Sequence, residues 1–144
     1  MIYKDEPENF KAKFEVVSCY VECDGEILIL HRQDHKPEGN TWGLPAGKID
    51  EGENEFDAVT REIYEETGID ADPGELEYLE KLYVVYPTYQ FIFHIFKLPL
   101  IEKPKVKISD NEHKEYRWAK PEDVLKLDLV PDCDECLKMS YRLS

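Results

Sequence analysis

The sequence predicts a single α/β domain, and three observations carry that prediction. The chain has 144 residues, enough to bury about 70% of its unfolded surface around one core without a disulfide or a structural metal. Its apolar residues gather in strand-length runs between 13 and 32 and again between 77 and 119. Between those runs one segment, 54–67, changes to the helical period.

The elements follow in order. Residues 13–21 (KFEVVSCYV) are rich in β-branched and aromatic side chains, and 26–32 (EILILHR) form a second apolar run. Asp24-Gly25 between them is a turn signal, so the two predict a hairpin. Residues 33–40 are polar and hold Pro37 and Gly39, which marks a loop, and 41–48 (TWGLPAGK) carries three more punctuating residues. In 54–67 the apolar positions are Phe56, Val59 and Ile63 with Ala58 beside them, an amphipathic helix that Gly68 closes. Residues 77–86 and 89–98 flank Pro87-Thr88 and predict two strands. The second is so continuously apolar at 91–96 (FIFHIF) that both of its faces are expected in the core. A last short strand is predicted at 115–119, then helices at 121–127 and 132–143, the first opened by Pro121 with acids in its first turn. No repeat, linker or low-complexity tract divides the chain, so the domain is expected to span 1–144.

Charge narrows the function classes. Eighteen Lys+Arg stand against 32 Asp+Glu, a formal net charge of −14. Duplex nucleic acid is bound by cationic side chains that displace counterions, so this surface argues against DNA and, by the same sign, against anionic membranes. A small anionic substrate has to be met by recruited cations. No run approaches 18 apolar residues and the first ten residues are acidic, so a cytoplasmic protein is expected. Cys133 and Cys136 form the one C-x-x-C pair, while Cys19 and Cys23 lie in strand-like sequence. Without a second metal-spaced pair, reduced thiols are expected, and a zinc-dependent interaction protein built on Cys133 and Cys136 is the weakest reading.

The chemistry concentrates in the predicted helix. Glu62, Glu65 and Glu66 stand at i, i+3 and i+4, three carboxylates within about a 100° arc. No basic residue is expected in that arc, which lies roughly a quarter turn from the apolar stripe and so borders the core. Such a cluster repels itself by about 0.2–0.5 kcal/mol per pair, and a divalent cation would convert that repulsion into affinity. Alone, the triplet would read as a solvated acidic face. It belongs to a longer pattern: Gly47, five residues, Glu53, seven residues, then Arg61, Glu62, Ile63, Glu65, Glu66, Gly68 and Ile69. These residues fill G-x5-E-x7-R-E-U-x-E-E-x-G-U, where U is aliphatic, at a chance frequency of about 10⁻⁷. The pattern resembles the Nudix box of the Nudix hydrolase family. Residues 42–48 resemble that family's lead-in to the box, and 115–124 its late strand and following helix. Ala46 stands where many members have a second glycine, and alanine lacks glycine's freedom at positive φ.

The resemblance implies an α/β/α sandwich around a mixed β-sheet. It also implies hydrolysis of a nucleoside diphosphate linked to another moiety, with Mg²⁺ as cofactor and Mn²⁺ as a substitute. Hard cations prefer oxygen, and phosphoryl transfer needs positioning and neutralised charge more than covalent help, which is why carboxylates dominate such a site. Carried across position by position, Glu62, Glu65 and Glu66 match the metal-binding carboxylates, with the Gly47 carbonyl as a further ligand. Glu112 and Glu115 lie where some members add another carboxylate. One acid, Glu65 or Glu66 or one from a separate loop, orients or deprotonates the attacking water. Arg61 and Glu53 match the positions that hold the loop onto the helix.

Arg32, next to His31 at the end of the second strand, and Lys48, after the glycine loop, are the candidates for meeting substrate phosphates. Tyr86 falls near a tyrosine that some dinucleoside-polyphosphate hydrolases stack on a base. His94 reads as a core histidine, and His35 and His113 carry no assignment. The expected partner is a small-molecule nucleotide: a dinucleoside polyphosphate, a nucleotide sugar such as ADP-ribose, a nucleoside triphosphate or a capped RNA end. The rival reading is a catalytically silent Nudix-fold sensor that binds a nucleotide without cleaving it. Such a module would tolerate loss of an acid, and all three are present.

Overall fold

In the computed structural model, which describes residues 1–143, eight strands form one mixed sheet with helices on both faces. Strand β1 is Ile2–Tyr3, β2 Phe14–Cys23, β3 Glu26–Arg32, β4 Trp42–Gly43, β5 Ala46–Lys48, β6 Glu77–Val85, β7 Gln90–Leu100 and β8 His113–Ala119. The helices are α1 (Glu55–Thr67), α2 (Pro121–Val124) and α3 (Cys133–Tyr141), with a 3₁₀ turn at Pro73–Glu75.

β2 is the centre. It runs parallel to β7 along its full length, from Phe14 opposite Phe91 to Cys23 opposite Leu100. Its other edge is divided. Glu22 and Cys23 pair with Ile27 and Glu26 of β3, whereas Val16, Val17 and Ser18 pair with Lys48, Gly47 and Ala46 of β5. The predicted hairpin therefore exists only at its last two rungs; beyond them the strands part and β5 enters the gap. β3 then carries β8 on one edge and β4 on the other, and β6 and β1 extend the sheet outward from β7.

Alternation along the strands builds two apolar layers. Val17, Cys19, Val21, Leu28, Leu30, Phe96 and Leu98 face Ala58, Val59 and Ile63 of α1. Tyr20, Ile27, Ile29, Leu82 and Ile95 face the other way, against Val124 of α2 and Cys136 and Leu137 of α3. A strand with helices on both sides has no polar face, which accounts for the unbroken apolar runs in β3 and β7. In β7 the double burial holds for His94, Ile95 and Phe96, while 91–93 are half-buried. That end emerges into an aromatic patch where Phe91 stacks on Phe14 with centroids 5.3 Å apart.

The strands shift by up to two residues at their ends, β1, β4 and β5 are too short to have been predicted, and two helices fall short of the sequence prediction. α2 stops at Val124 instead of continuing to 127, because the following chain is drawn onto the sheet: the Trp42 N–H donates to Asp128 O at 2.8 Å and the Val130 N–H to Trp42 O at 2.9 Å. α3 spans only Cys133–Tyr141, bounded by Asp132 and Arg142, both in the left-handed region. No helix among the described residues is long and apolar enough to cross a membrane.

Candidate active site

The wedge between β2 and β3 lays the β5 backbone across the acidic side of α1. The helix is held at both ends. The Asn54 side chain accepts from the Asp57 N–H at 2.8 Å, and Gly68, at φ 75°, donates its N–H to Tyr64 O at 2.9 Å. Glu62 packs so tightly on Gly47 that a Cβ there would lie 2.2 Å from its carboxyl carbon. Ala46, where a glycine is common in the resembling family, sits in strand β5 opposite Ser18 and outside the positive-φ residues, so its methyl group is tolerated. Its N–H donates to Glu66 Oε1 at 2.8 Å.

The three acids meet three environments. The Glu65 side chain is 55% exposed, Glu62 14% and Glu66 6%. Burial raises the Glu62 carboxyl above its ordinary range and raises Glu66 well above it, with Glu112 adding like charge to both. Arg61 corrects the expectation that nothing basic shares the arc. Its Nη1 donates to Glu62 Oε1 at 2.8 Å and to Glu65 Oε1 at 3.3 Å. The same guanidinium grips Glu53 through two bonds, Nε to Oε2 at 2.8 Å and Nη2 to Oε1 at 3.0 Å, and Nη2 also reaches the Lys48 carbonyl at 3.1 Å. These bonds raise the Arg61 pKa and hold the Glu53 carboxyl below the usual carboxylate range.

Beside Glu66 opens a cleft of about 390 Å³, walled by Arg32, Glu38, Ala46, Glu66, Tyr89 and His113 among others. Arg32 is steadied by donating its Nε to Pro37 O at 2.9 Å. Glu66, Glu112 and His113 each present one ligand-type atom, and these lie within 4.8 Å of one another, an arrangement that could hold a metal ion. His113 is 3% exposed, and burial together with the positive charges of Arg32 and Lys36 pushes its pKa down to about 4. Sequence reasoning left His113 without an assignment; its adjacency to Glu112 was the only signal available.

Other candidates fall outside this cleft. Lys48 turns its ammonium over the Phe14 ring, 4.3 Å from the centroid. Glu115 pairs with His31 Nδ1 at 3.3 Å, and His31 stacks on Trp42 with rings 4.3 Å apart. The Tyr86 hydroxyl donates to Asp132, and it is Tyr89, across the Pro87-Thr88 turn, that reaches the cleft wall. His94 is a core histidine, bonded through Nε2 to Glu15 at 2.7 Å and through Nδ1 to Tyr78. The cysteines are free thiols, and burial pushes Cys133 and Cys136 up to about 12, the protonated and weakly ligating form.

Known proteins resemble this chain in sequence and fold. The chain is 30% identical over 119 residues to the CTP pyrophosphohydrolase of Escherichia coli K12, covering 81% of this chain and 83% of that one. It is 26% identical over 131 residues to the phosphatase NudJ of the same strain, covering 88% and 84%. The crystal structure of a MutT protein from Methanosarcina mazei Go1 superposes with a TM-score of 0.73 at 27% identity, over 92% of this chain and 95% of that one. The family model described as NUDIX domain matches residues 13–138, and with the box residues assembled on α1 and β5 the chain belongs to the Nudix family, as a hydrolase of pyrophosphate bonds.

Proposed function

We propose that the chain is a divalent-metal-dependent pyrophosphohydrolase that cleaves a nucleoside diphosphate linked to another moiety, with nucleoside triphosphates such as CTP first among its substrates. The observation that carries this reading is Glu66: a buried carboxylate that accepts one backbone N–H and faces Glu62 and Glu112. Burying like charges is costly unless a cation joins them. The donor set, carboxylates with a backbone carbonyl nearby, fits the hard ions Mg²⁺ and Mn²⁺. Support for the substrate class comes from the similarity to the CTP pyrophosphohydrolase.

In this reading Glu62, Glu66 and Glu112, with the Gly47 carbonyl, would hold the cation, whose chemistry there is to neutralise and polarise phosphate oxygens. Glu65, the exposed carboxylate, orients the attacking water and takes its proton. Arg32 binds a phosphate oxygen from the cleft wall, and Tyr89 places an aromatic face beside the nucleoside. Arg61 and Glu53 keep β5 against α1 so that the acids and the carbonyl stay aligned. Glu115 and Lys48 support the surroundings.

The test is a panel of CTP, other nucleoside triphosphates, ADP-ribose, a dinucleoside polyphosphate and capped RNA, hydrolysed with Mg²⁺ or Mn²⁺ in ¹⁸O-water, with the labelled phosphorus identified by mass. Chelator should abolish turnover. Glu65→Gln and Glu66→Gln should each lower it by about 10² or more while the melting temperature holds or rises, since a like charge is removed. Turnover that survives chelation overturns the reading, and nucleotide binding without any cleavage supports the sensor module instead.

A further inference from the structure

His113 takes no part in the mechanism above, yet it lines the cleft beside Glu66. It enters from the first residue of β8, its side chain 3% exposed. Among the described residues its Nδ1 is buried without a hydrogen-bond partner, and its Nε2 stands 4.0 Å from Glu66 Oε2, too long for a hydrogen bond. Buried polar atoms are seldom left unanswered, and on the opposite side of the ring Nε2 faces a buried carboxylate without bonding to it. Two donors each about 2.1 Å from a shared ion lie about 3.0 Å apart at a right angle and about 4.2 Å apart when opposite. The atoms offered by Glu66, Glu112 and His113, all within 4.8 Å of one another, have the spacing of ligands about to close on one ion.

We propose that His113 is a nitrogen ligand of the cation held by Glu66 and Glu112, and that this mixed set makes the site prefer Mn²⁺ to Mg²⁺. Mg²⁺ is hard, keeps its waters and gains little from imidazole, whereas Mn²⁺ accepts nitrogen alongside carboxylate oxygen. The inference rests on the metal-dependent reading, and the experiment separates the two.

Metal-free full-length protein is titrated with Mn²⁺ alone, with free ion followed by its electron paramagnetic resonance signal and bound ion probed by pulsed methods for nitrogen coupling. Wild type should show ¹⁴N coupling that becomes ¹⁵N in protein grown on ¹⁵N-histidine, a result that needs no variant. His113→Gln should abolish the coupling and weaken Mn²⁺ binding about tenfold or more, while Mg²⁺ affinity, measured by competition, changes less than threefold. A melting curve verifies the fold of the variant. Bound Mn²⁺ without nitrogen coupling, or equal weakening of both ions in His113→Gln, overturns the inference and leaves the metal-dependent reading standing. Binding of neither ion to wild type sinks both.

Discussion

A methyl group at position 47 would stand 2.2 Å from the Glu62 carboxyl carbon, a distance no Cβ sustains. Gly47→Ala is therefore expected to swing the Glu62 carboxylate, the movable end of its side chain, out of place, lowering turnover at least tenfold while stability falls by only about 1 kcal/mol or less, as read from kcat and from urea unfolding. Arg61 holds Glu53, Glu62 and the Lys48 carbonyl together, so Arg61→Ala should cost about 1–3 kcal/mol as well as activity. Lysine, a point charge, should not restore the two-bond grip on Glu53. An unchanged melting curve with lost activity would show instead that Arg61 contacts substrate. The Glu53 carboxyl is depressed by Arg61, so its contribution is present above the usual carboxylate value of about 4.3 and is lost as pH falls through the depressed one. The stability gap between wild type and Glu53→Gln should accordingly be full at pH 7 and close as pH falls below about 4. The positions of Glu62, Glu65 and Glu66 on one face were legible from spacing alone. Arg61's reach into that face was not, because a helical wheel records where Cα–Cβ bonds point, whereas a long guanidinium side chain lies along the helix surface.

At the scale of elements, α1 ends where the sequence predicts, since its period, its Asn54 cap and its Gly68 stop are local chemistry. Asn54→Ala removes the acceptor for the Asp57 N–H and should cost about 1 kcal/mol, seen as a lower melting temperature. Because Glu62, Glu65 and Glu66 lie about two to three turns beyond the cap, kcat should change far less than stability; a collapse of kcat at unchanged stability would mean that the cap positions the acids directly. The hairpin of β2 and β3 was legible as two strands and a turn, but not as a pair that parts after two rungs. Its parting depends on β5, a three-residue strand too short to leave a period in the sequence.

Over the whole molecule the charge of −14 sets a long-range field against any nucleotide. Raising salt from 0.01 M to 0.1 M shortens the Debye length from about 30 Å to about 10 Å and should weaken that repulsion more than it weakens the local attraction of a bound cation and Arg32. At saturating divalent ion, kcat/KM for a polyphosphate substrate is expected to rise or stay flat across that range. A steep fall would reveal cationic steering, with Arg32, Lys48, Lys103, Lys105 and Lys107 the first residues to replace. The sequence by itself determined the α/β class, the helix with its three acids and the Nudix family, because each is written in residue periods and spacings that neighbouring residues enforce. Tertiary structure alone decided that Tyr89 and not Tyr86 walls the cleft, that Glu115 answers His31, and that His113 meets Glu66. Glu66 and His113 are 47 positions apart and come together only because β8 pairs with β3 while β5 lays the loop across α1, and contacts closed through a sheet depend on which strands become neighbours, a choice made by packing on both faces at once.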